Sequence, residues 1–275
     1  MTGAQELSPQ HPAPGSPGDR PGPRVDVAIV LGLALAVVLT WSVAGVTRTG
    51  VIVDPAAQLL LPSIAVWVPL VAVVVWAMPR PGAGPGSVLE RLGLRFRAAD
   101  VVWAVGIALV ARGVDALLNL GVFGTTGLGP RAVLGGTPGP LFLVLLVVGP
   151  VVVSPVVEEL FFRGVLQREV VRRFRAADSG SWAAPVGVVV TALVFALMHL
   201  LVGGAAMLSA GGVFSAAGVF STAGVFSAGG IVEFVSTFVL GLLVGGVAVT
   251  TNRLGGAVLA HVLFNGIAVV LTWSY

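Results

Sequence analysis

Long apolar runs separated by short polar connectors dominate this chain. A run of about 20 apolar residues is long enough to cross a bilayer as a helix. Seven such runs are present, at 27–46, 58–78, 99–121, 138–162, 184–206, 231–250 and 254–273. The pattern therefore predicts an all-α fold, a polytopic transmembrane helix bundle with about seven spans. Residues 1–24 are rich in Pro, Gly and polar side chains, which predicts a disordered N-terminal tail rather than a signal peptide.

The arginines are distributed unevenly between the connectors. If the N-terminus lies inside, the inner segments hold twelve arginines and the outer segments hold only Arg48 and Arg131. Inner loops of membrane proteins carry an excess of basic residues. We therefore predict the orientation N-in and C-out, in a multi-pass protein of the cell membrane.

Two connectors have patterns of their own. Residues 163–178 carry five arginines that alternate with apolar residues, which predicts an amphipathic helix lying along the inner interface. Residues 212–229 contain one hexapeptide three times, as GVFSAA, GVFSTA and GVFSAG. Three copies are too few for a solenoid. We interpret this segment as a low-complexity loop at the outer interface, and a substrate-gating role stays open.

Composition supports the membrane interpretation and narrows the chemistry. Hydrophobic residues make up 56% of the chain, charged residues 10%, and the mean hydropathy is +1.02. Soluble domains contain about 25% charged residues. The chain has no cysteine and no lysine, which excludes thiolate nucleophiles, disulfides and lysine-based catalysis. A net charge of only +3, without a basic stripe, argues against nucleic acid as a partner.

The fourth apolar run contains paired glutamates. Glu159 and Arg163 are four residues apart on one helical face, in the order that favours an ion pair. Glu158 points about 100° away from Glu159, which leaves its carboxylate without a partner nearby in the sequence. An interfacial ion pair explains Glu159 and Arg163 equally well, whereas Glu158 is a candidate general base.

A proline shortly precedes these glutamates. Pro155 lacks an N–H, and we expect it to kink or restart the helix. Ser154 would then be the N-cap residue.

Two later apolar runs each contain a histidine. His199 follows Phe195 by one helical turn, and His261 precedes Asn265 by one turn. Ionisable groups inside membrane segments are costly and are functional candidates by default. Structural alternatives stay open for each: a satisfied histidine at 199, plain packing of Phe195, and an interhelical polar contact made by His261 and Asn265 with another helix. Together the groups suit hydrolysis, with Glu158 activating water and an amide stabilising an oxyanion.

These residues resemble the CAAX-protease and bacteriocin-processing (CPBP, Abi-type) family of intramembrane proteases, which is related to the type II CAAX prenyl endopeptidases. The family pattern is EExxxR, FxxxH and HxxxN on successive membrane segments. This chain has EELFFR at 158–163, FALMH at 195–199 and HVLFN at 261–265. The resemblance covers roughly residues 140–272. The predicted organisation is therefore a tail at 1–24, N-terminal transmembrane helices at 25–137 and a protease domain at 138–275.

The resemblance implies a role for each residue of the pattern. Glu158 would be the catalytic carboxylate, His199 and His261 would lie beside it, and Asn265 would belong to the oxyanion site. The implied supporting or positioning residues are Glu159, Arg163 and Phe195. The substrate would be a peptide or membrane protein, cleaved near the cytoplasmic leaflet.

Whether a metal takes part is left open by the sequence. Glu158, His199 and His261 match the ligand number of a catalytic zinc site, but no HExxH is present. We favour water activated by glutamate without a cofactor, and zinc remains the alternative. The rival functions are a non-catalytic scaffold or immunity protein that binds a partner membrane protein, and a proton-coupled transporter. The oligomeric state is not predicted.

Three further expectations concern charged residues and depth. Arg112 and Asp115 are expected to form an ion pair within the third span. Glu233, at the start of the sixth span, is expected to be merely interfacial. The active site is expected in the inner half of the membrane, although His199 lies about 22 Å along its span.

Overall fold

All regular structure in the part of the chain described here is helical. The structure is a computed structural model, and it describes residues 25–78, 92–128, 140–177, 180–209 and 227–272. The predicted tail and nearly all of the repeat-bearing loop lie outside the described residues. In chain order the helices are α1 (Val25–Arg48), α2 (Pro55–Ala77), α3 (Ala98–Phe123), α4 (Pro140–Val148), α5 (Ser154–Phe161), α6 (Arg168–Ala176), α7 (Ala183–Ser209), α8 (Ala228–Thr251) and α9 (Gly255–Thr272). The predicted all-α class is confirmed.

Helices of sufficient length and apolarity to cross a bilayer are found for five of the seven predicted spans. Among the described residues these are α1, α2, α3, α7 and α8, all with mean hydropathies of 1.9 or more. The predicted fourth span is divided, because α4 and α5 are joined by the π-helical turn Gly149–Val153. The predicted seventh span is the shorter apolar helix α9. The protein is thus a multi-pass helical membrane protein, while the count of seven and the orientation stay predictions.

The long helices surround the divided one. Helix α1 packs on α2 and α7, α7 packs on α8, and both α8 and α9 pack on α3. Helix α5 contacts α2 and α9, and the π-helical turn Phe162–Gln167 that follows it contacts α7 and α8. Residues of α5 therefore lie at the centre, where Phe161 and Glu159 have no exposed surface.

Local sequence signals set several helix ends. Helix α2 begins after Asp54, whose carboxylate accepts a hydrogen bond from the Ala57 N–H at 2.8 Å, and Pro55 suits its first turn. Helix α3 ends at Gly124, which has φ of 71° and therefore adopts a left-handed cap. Asn252 joins α8 to α9 in the same left-handed region, at φ 52°.

The expected helix restart at Ser154 is wrong. Ser154 has φ −56° and ψ −54°, and its N–H bonds to the Gly149 carbonyl in the five-residue pattern of a π-helix. The wider turn lets the chain pass Pro155 without breaking. The Ser154 hydroxyl does not cap a helix but accepts a hydrogen bond from Trp67 Nε1 at 2.8 Å.

The amphipathic connector is helical, but it is shorter than predicted. Helix α6 carries exposed arginines on one side and buries Val171 on the other. The Arg172 guanidinium, followed by that of Arg173, holds the pKa of the Glu169 carboxyl below its usual range. Arg163 does not belong to this interfacial helix, because its side chain is buried in the core beside Glu159.

Candidate active site

Three of the sequence-predicted site residues meet at one point. Glu158 Oε2 lies 3.7 Å from His199 Nε2 and 3.8 Å from His261 Nε2. Glu158 comes from α5, His199 from α7 and His261 from α9. The helices thus bring together groups that are far apart in the sequence, and the distance of His199 along its span does not keep it from Glu158.

The other nitrogen of each imidazole is held by an acceptor. His199 Nδ1 lies 3.0 Å from the Phe195 carbonyl oxygen, and His261 Nδ1 lies 3.0 Å from Glu159 Oε1. A carbonyl and an ion-paired carboxylate only accept hydrogen bonds, so both Nδ1 atoms donate. In the neutral rings, Nε2 is then an acceptor directed at Glu158.

Glu159 forms the predicted ion pair with Arg163. The distance from Arg163 Nη1 to Glu159 Oε1 is 3.1 Å, and neither side chain has exposed surface. Breaking a buried pair by removing one partner costs about 3–5 kcal/mol, because a charge is left uncompensated. The single oxygen Oε1 contacts both Arg163 and His261, which joins the ion pair to the imidazole.

The backbone of α8 fixes the position of the Arg163 side chain. Arg163 Nη2 donates to the Gly241 carbonyl at 3.2 Å, and Gln167 Nε2 donates to the Gly245 carbonyl at 3.1 Å. Gly245 leaves room for Gln167, because a Cβ atom there would lie 2.9 Å from Gln167 Oε1, and Gly241 lets α7 approach, because a Cβ atom there would lie 3.0 Å from the Ala192 Cβ. The four-residue spacing of the two glycines matches that of Arg163 and Gln167.

Phe195 packs against the whole constellation. Its ring centroid lies 4.3 Å from that of His199 and 5.7 Å from that of His261. The Arg163 Cζ atom lies 4.5 Å from the Phe195 ring centroid, which is a cation–π distance. A fully buried ring with these neighbours restricts the rotation of both imidazoles.

The two α8 contacts also set the depth of the site. Arg163 and Gln167 each bond to a residue 78 positions later, so α5 runs parallel to α8. By this register Glu158 is level with Ser236, roughly 12 Å from the Ala228 end of α8 and roughly 22 Å from its Thr251 end. In the predicted orientation the Ala228 end is the outer one. In that orientation Glu158 lies nearer to the outer end of α8, and the site in the inner half stays a prediction.

Asn265 is placed apart from the three groups. Its Nδ2 donates to the Pro150 carbonyl at 2.8 Å. In the π-helical pattern this carbonyl would bond to residue 155, but Pro155 has no N–H. Asn265 therefore satisfies a carbonyl that the proline leaves free, and its oxyanion role stays a prediction.

A cavity of about 270 Å³ adjoins Glu158 and His199. Its remaining lining residues, from α2, α5, α7 and α8, are Pro62, Ser63, Val66, Trp67, Leu70, Ser154, Phe162, Met198, Val202, Gly203 and Glu233. Glu233 lies in the same cavity as the two site residues, so the expectation that it is merely interfacial is wrong. The local sequence offers no signal for this, because the position depends on how α7 and α8 pack.

The expected ion pair in α3 is confirmed and belongs to a larger network. Arg112 Nη1 lies 2.7 Å from Asp115 Oδ2, and Arg112 Nη2 donates to the Phe264 carbonyl at 2.6 Å. Ser236 donates to Asp115 Oδ1 at 2.9 Å. This network links α3 to α8 through Ser236. It links α3 to α9 through Phe264, the residue that precedes Asn265.

The donor groups were also tested as a metal site. Across the described ranges, no group of three or more histidine, aspartate or glutamate side chains is arranged to hold a metal ion. Glu159, the second carboxylate, is already occupied by Arg163 and His261. Glu158, His199 and His261 remain the residues that would hold a zinc ion, and we derive no step through a metal.

Comparison with known proteins gives a match to a protein family. A family model described as type II CAAX prenyl endopeptidase Rce1-like matches residues 140–267. No curated protein and no solved structure matches the chain. The matched segment runs from the start of α4 into α9 and contains all seven site residues predicted from the sequence.

Proposed function

We propose that this protein is an intramembrane endopeptidase in which Glu158 activates water, because residues 140–267 match the model of the Rce1-like family of type II CAAX prenyl endopeptidases. The observation that carries this mechanism is the position of Glu158 Oε2. It is buried and without a hydrogen-bond partner among the described residues, and it faces two imidazole Nε2 atoms at 3.7 and 3.8 Å.

A water molecule fits this arrangement. Separations of 3.7 and 3.8 Å are too long for direct hydrogen bonds, but they allow one water about 2.8 Å from each group. Glu158 would accept one proton of the water, and His199 Nε2 would accept a hydrogen bond from the other. The oxygen lone pair would then point towards the cavity, where a substrate carbonyl carbon can approach.

The proton transfers balance through Glu158. Glu158 takes the water proton as the oxygen attacks the carbonyl carbon, and it returns that proton to the amide nitrogen as the C–N bond breaks. The products are a carboxylic acid and an amine. The position of Glu158 suits this role, because its carboxylate faces both the imidazoles and the cavity where the peptide bond would lie.

His261 is suited to stabilise the oxyanion. Glu159 Oε1 accepts from its Nδ1 and orients the ring. When the ring also carries a proton on Nε2, that N–H would donate to the carbonyl oxygen that becomes negative during attack. Asn265 would assist only through the amide hydrogen that does not bond to Pro150.

The test compares membrane proteomes of cells that contain the wild-type protein, Glu158→Gln or His199→Ala. We expect shortened or released fragments in wild-type cells and their loss in both variants. Glu169→Gln on α6 is the matched control, because it removes a carboxylate away from the site, and it should retain the products. If wild type and Glu158→Gln give the same proteome, the protease proposal fails and a scaffold that binds a partner becomes the better account.

A further inference from the structure

We propose that Glu233 forms an acidic subsite that binds a cationic group of the substrate, a lysine or arginine side chain or a free amine, beside the Glu158–His199 centre. This inference rests on the proposed endopeptidase function. It adds a substrate preference that neither the site residues nor the family match assigns.

Glu233 shares the cavity with the reacting groups. Both Glu158 and His199 line the same space of about 270 Å³. A peptide bound with its scissile carbonyl at Glu158 therefore extends one of its neighbouring side chains towards Glu233. Most of the wall between them is apolar, formed by residues such as Val66, Leu70 and Met198.

No arginine lies near Glu233 among the described residues that line the cavity, and the chain contains no lysine. Residues 204–227, which comprise the end of α7 and the connector to α8, include no charged residue in the sequence. The basic group in the described lining is His199, which attracts Glu233 electrostatically but directs its Nε2 at Glu158.

The backbone of α7 limits where the Glu233 carboxylate can go. A Cβ atom at Gly203 would lie 2.7 Å from Glu233 Oε1 and 3.2 Å from Oε2. The glycine thus leaves room for the carboxylate against α7, on the cavity wall. A carboxylate in an apolar cavity at membrane depth is costly unless a positive charge accompanies it. A substrate cation supplies that charge and is thereby selected over neutral groups.

Peptide cleavage by the purified protein in lipid vesicles tests this subsite. Each peptide carries Lys, Arg, Gln, norleucine or Glu at one position around the cleaved bond, with a free or acetylated N-terminus. We expect wild type to cleave a Lys or Arg peptide with kcat/KM about tenfold or more above the Gln peptide at one position. If the free amine is the cation, acetylation removes the preference instead.

Variants of two residues should change that ratio. Glu233→Gln should bring the Lys-to-Gln ratio near one, and Glu233→Arg should favour the Glu peptide. Gly203→Ala should lower the ratio because its methyl group displaces the carboxylate. The matched control is Gly246→Ala on α8, where a Cβ atom meets nothing within 4 Å, and it should keep the wild-type ratio.

The outcomes separate this subsite from the proposed function. If wild type cleaves none of the peptides, while the proteomes also show no product, the endopeptidase proposal fails and the subsite with it. Cleavage with equal ratios in wild type and Glu233→Gln overturns the subsite alone. An equal loss of kcat for every peptide in Glu233→Gln also overturns it, because this result shows proton transfer through His199 rather than substrate selection.

Discussion

At the residue scale, two neighbouring glutamates have different surroundings. Glu159 faces Arg163 and His261 in the core, whereas Glu158 faces two imidazole nitrogens and the cavity. The difference follows from the rotation of about 100° between consecutive helical residues. One carboxylate is therefore fixed by an ion pair, and the other is free to exchange a proton with water.

Removing the Arg163 charge should destabilise the protein strongly. Arg163→Met leaves Glu159 buried and unpaired, and we expect a loss of about 3–5 kcal/mol in the free energy of unfolding. The double variant Glu159→Gln with Arg163→Met leaves no buried charge and should recover most of that loss. Thermal unfolding of the detergent-solubilised variants, followed by tryptophan fluorescence, measures both effects. Wild-type stability in Arg163→Met would contradict the ion pair's structural role.

Local spacing predicted some of these contacts and missed others. The Glu159–Arg163 and Arg112–Asp115 pairs follow from positions on a single helix, and both are confirmed. Two features were missed: the hydrogen bond between Glu159 and His261, and the position of Glu233 in the cavity. Both depend on how separate helices pack, which the periodicity within one helix does not predict.

At the element scale, the π-helical turn Gly149–Val153 explains the contact of Asn265. The turn absorbs Pro155 without a break but leaves the Pro150 carbonyl without its backbone donor. The sequence indicated a disturbance at the proline. It did not distinguish a restart from a widened turn, because both relieve the same steric clash.

The structural and catalytic roles of Asn265 can be separated with Pro155→Ala. Asn265→Ala leaves the Pro150 carbonyl unsatisfied, and we expect it to cost about 1–3 kcal/mol of stability. In the Pro155→Ala background the restored N–H can bond to Pro150, so the same change should cost less than half as much. Thermal unfolding of the four proteins gives this double-mutant cycle. Equal costs in both backgrounds would refute the contact, and an activity loss that persists when stability is restored would support the predicted oxyanion role.

At the scale of the whole molecule, the helices surround the divided helix and hold the site within the bundle. The apolar pattern predicted the helix class well, because lipid requires backbone groups to be satisfied within helices. It overestimated the continuity of the fourth span. The apolar pattern also predicted a site in the inner half of the membrane. The register of α5 on α8 places Glu158 nearer to the Ala228 end of α8 than to its Thr251 end.

The N-in orientation is a prediction from the arginine distribution, and it can be measured directly. The chain has no cysteine, so a single engineered thiol reports one side of the membrane. Thr49→Cys lies in the connector after α1, and Ala176→Cys lies at the end of α6; both positions are exposed. With N-in topology, a membrane-impermeant maleimide should label Thr49→Cys in intact cells, and Ala176→Cys only after lysis. The reverse pattern would refute N-in and would place the site in the inner half.

The central claim, that Glu158 activates the water that cleaves a peptide bond, is tested most directly by the rate of peptide cleavage by the purified protein in lipid vesicles. The measurement compares wild type with Glu158→Gln, which keeps the shape of the side chain but removes its basic carboxylate. We predict that kcat falls by about 10²–10⁴-fold, the usual contribution of a general base. If Glu158→Gln is folded and cleaves at the wild-type rate, another group activates the water and this account is wrong.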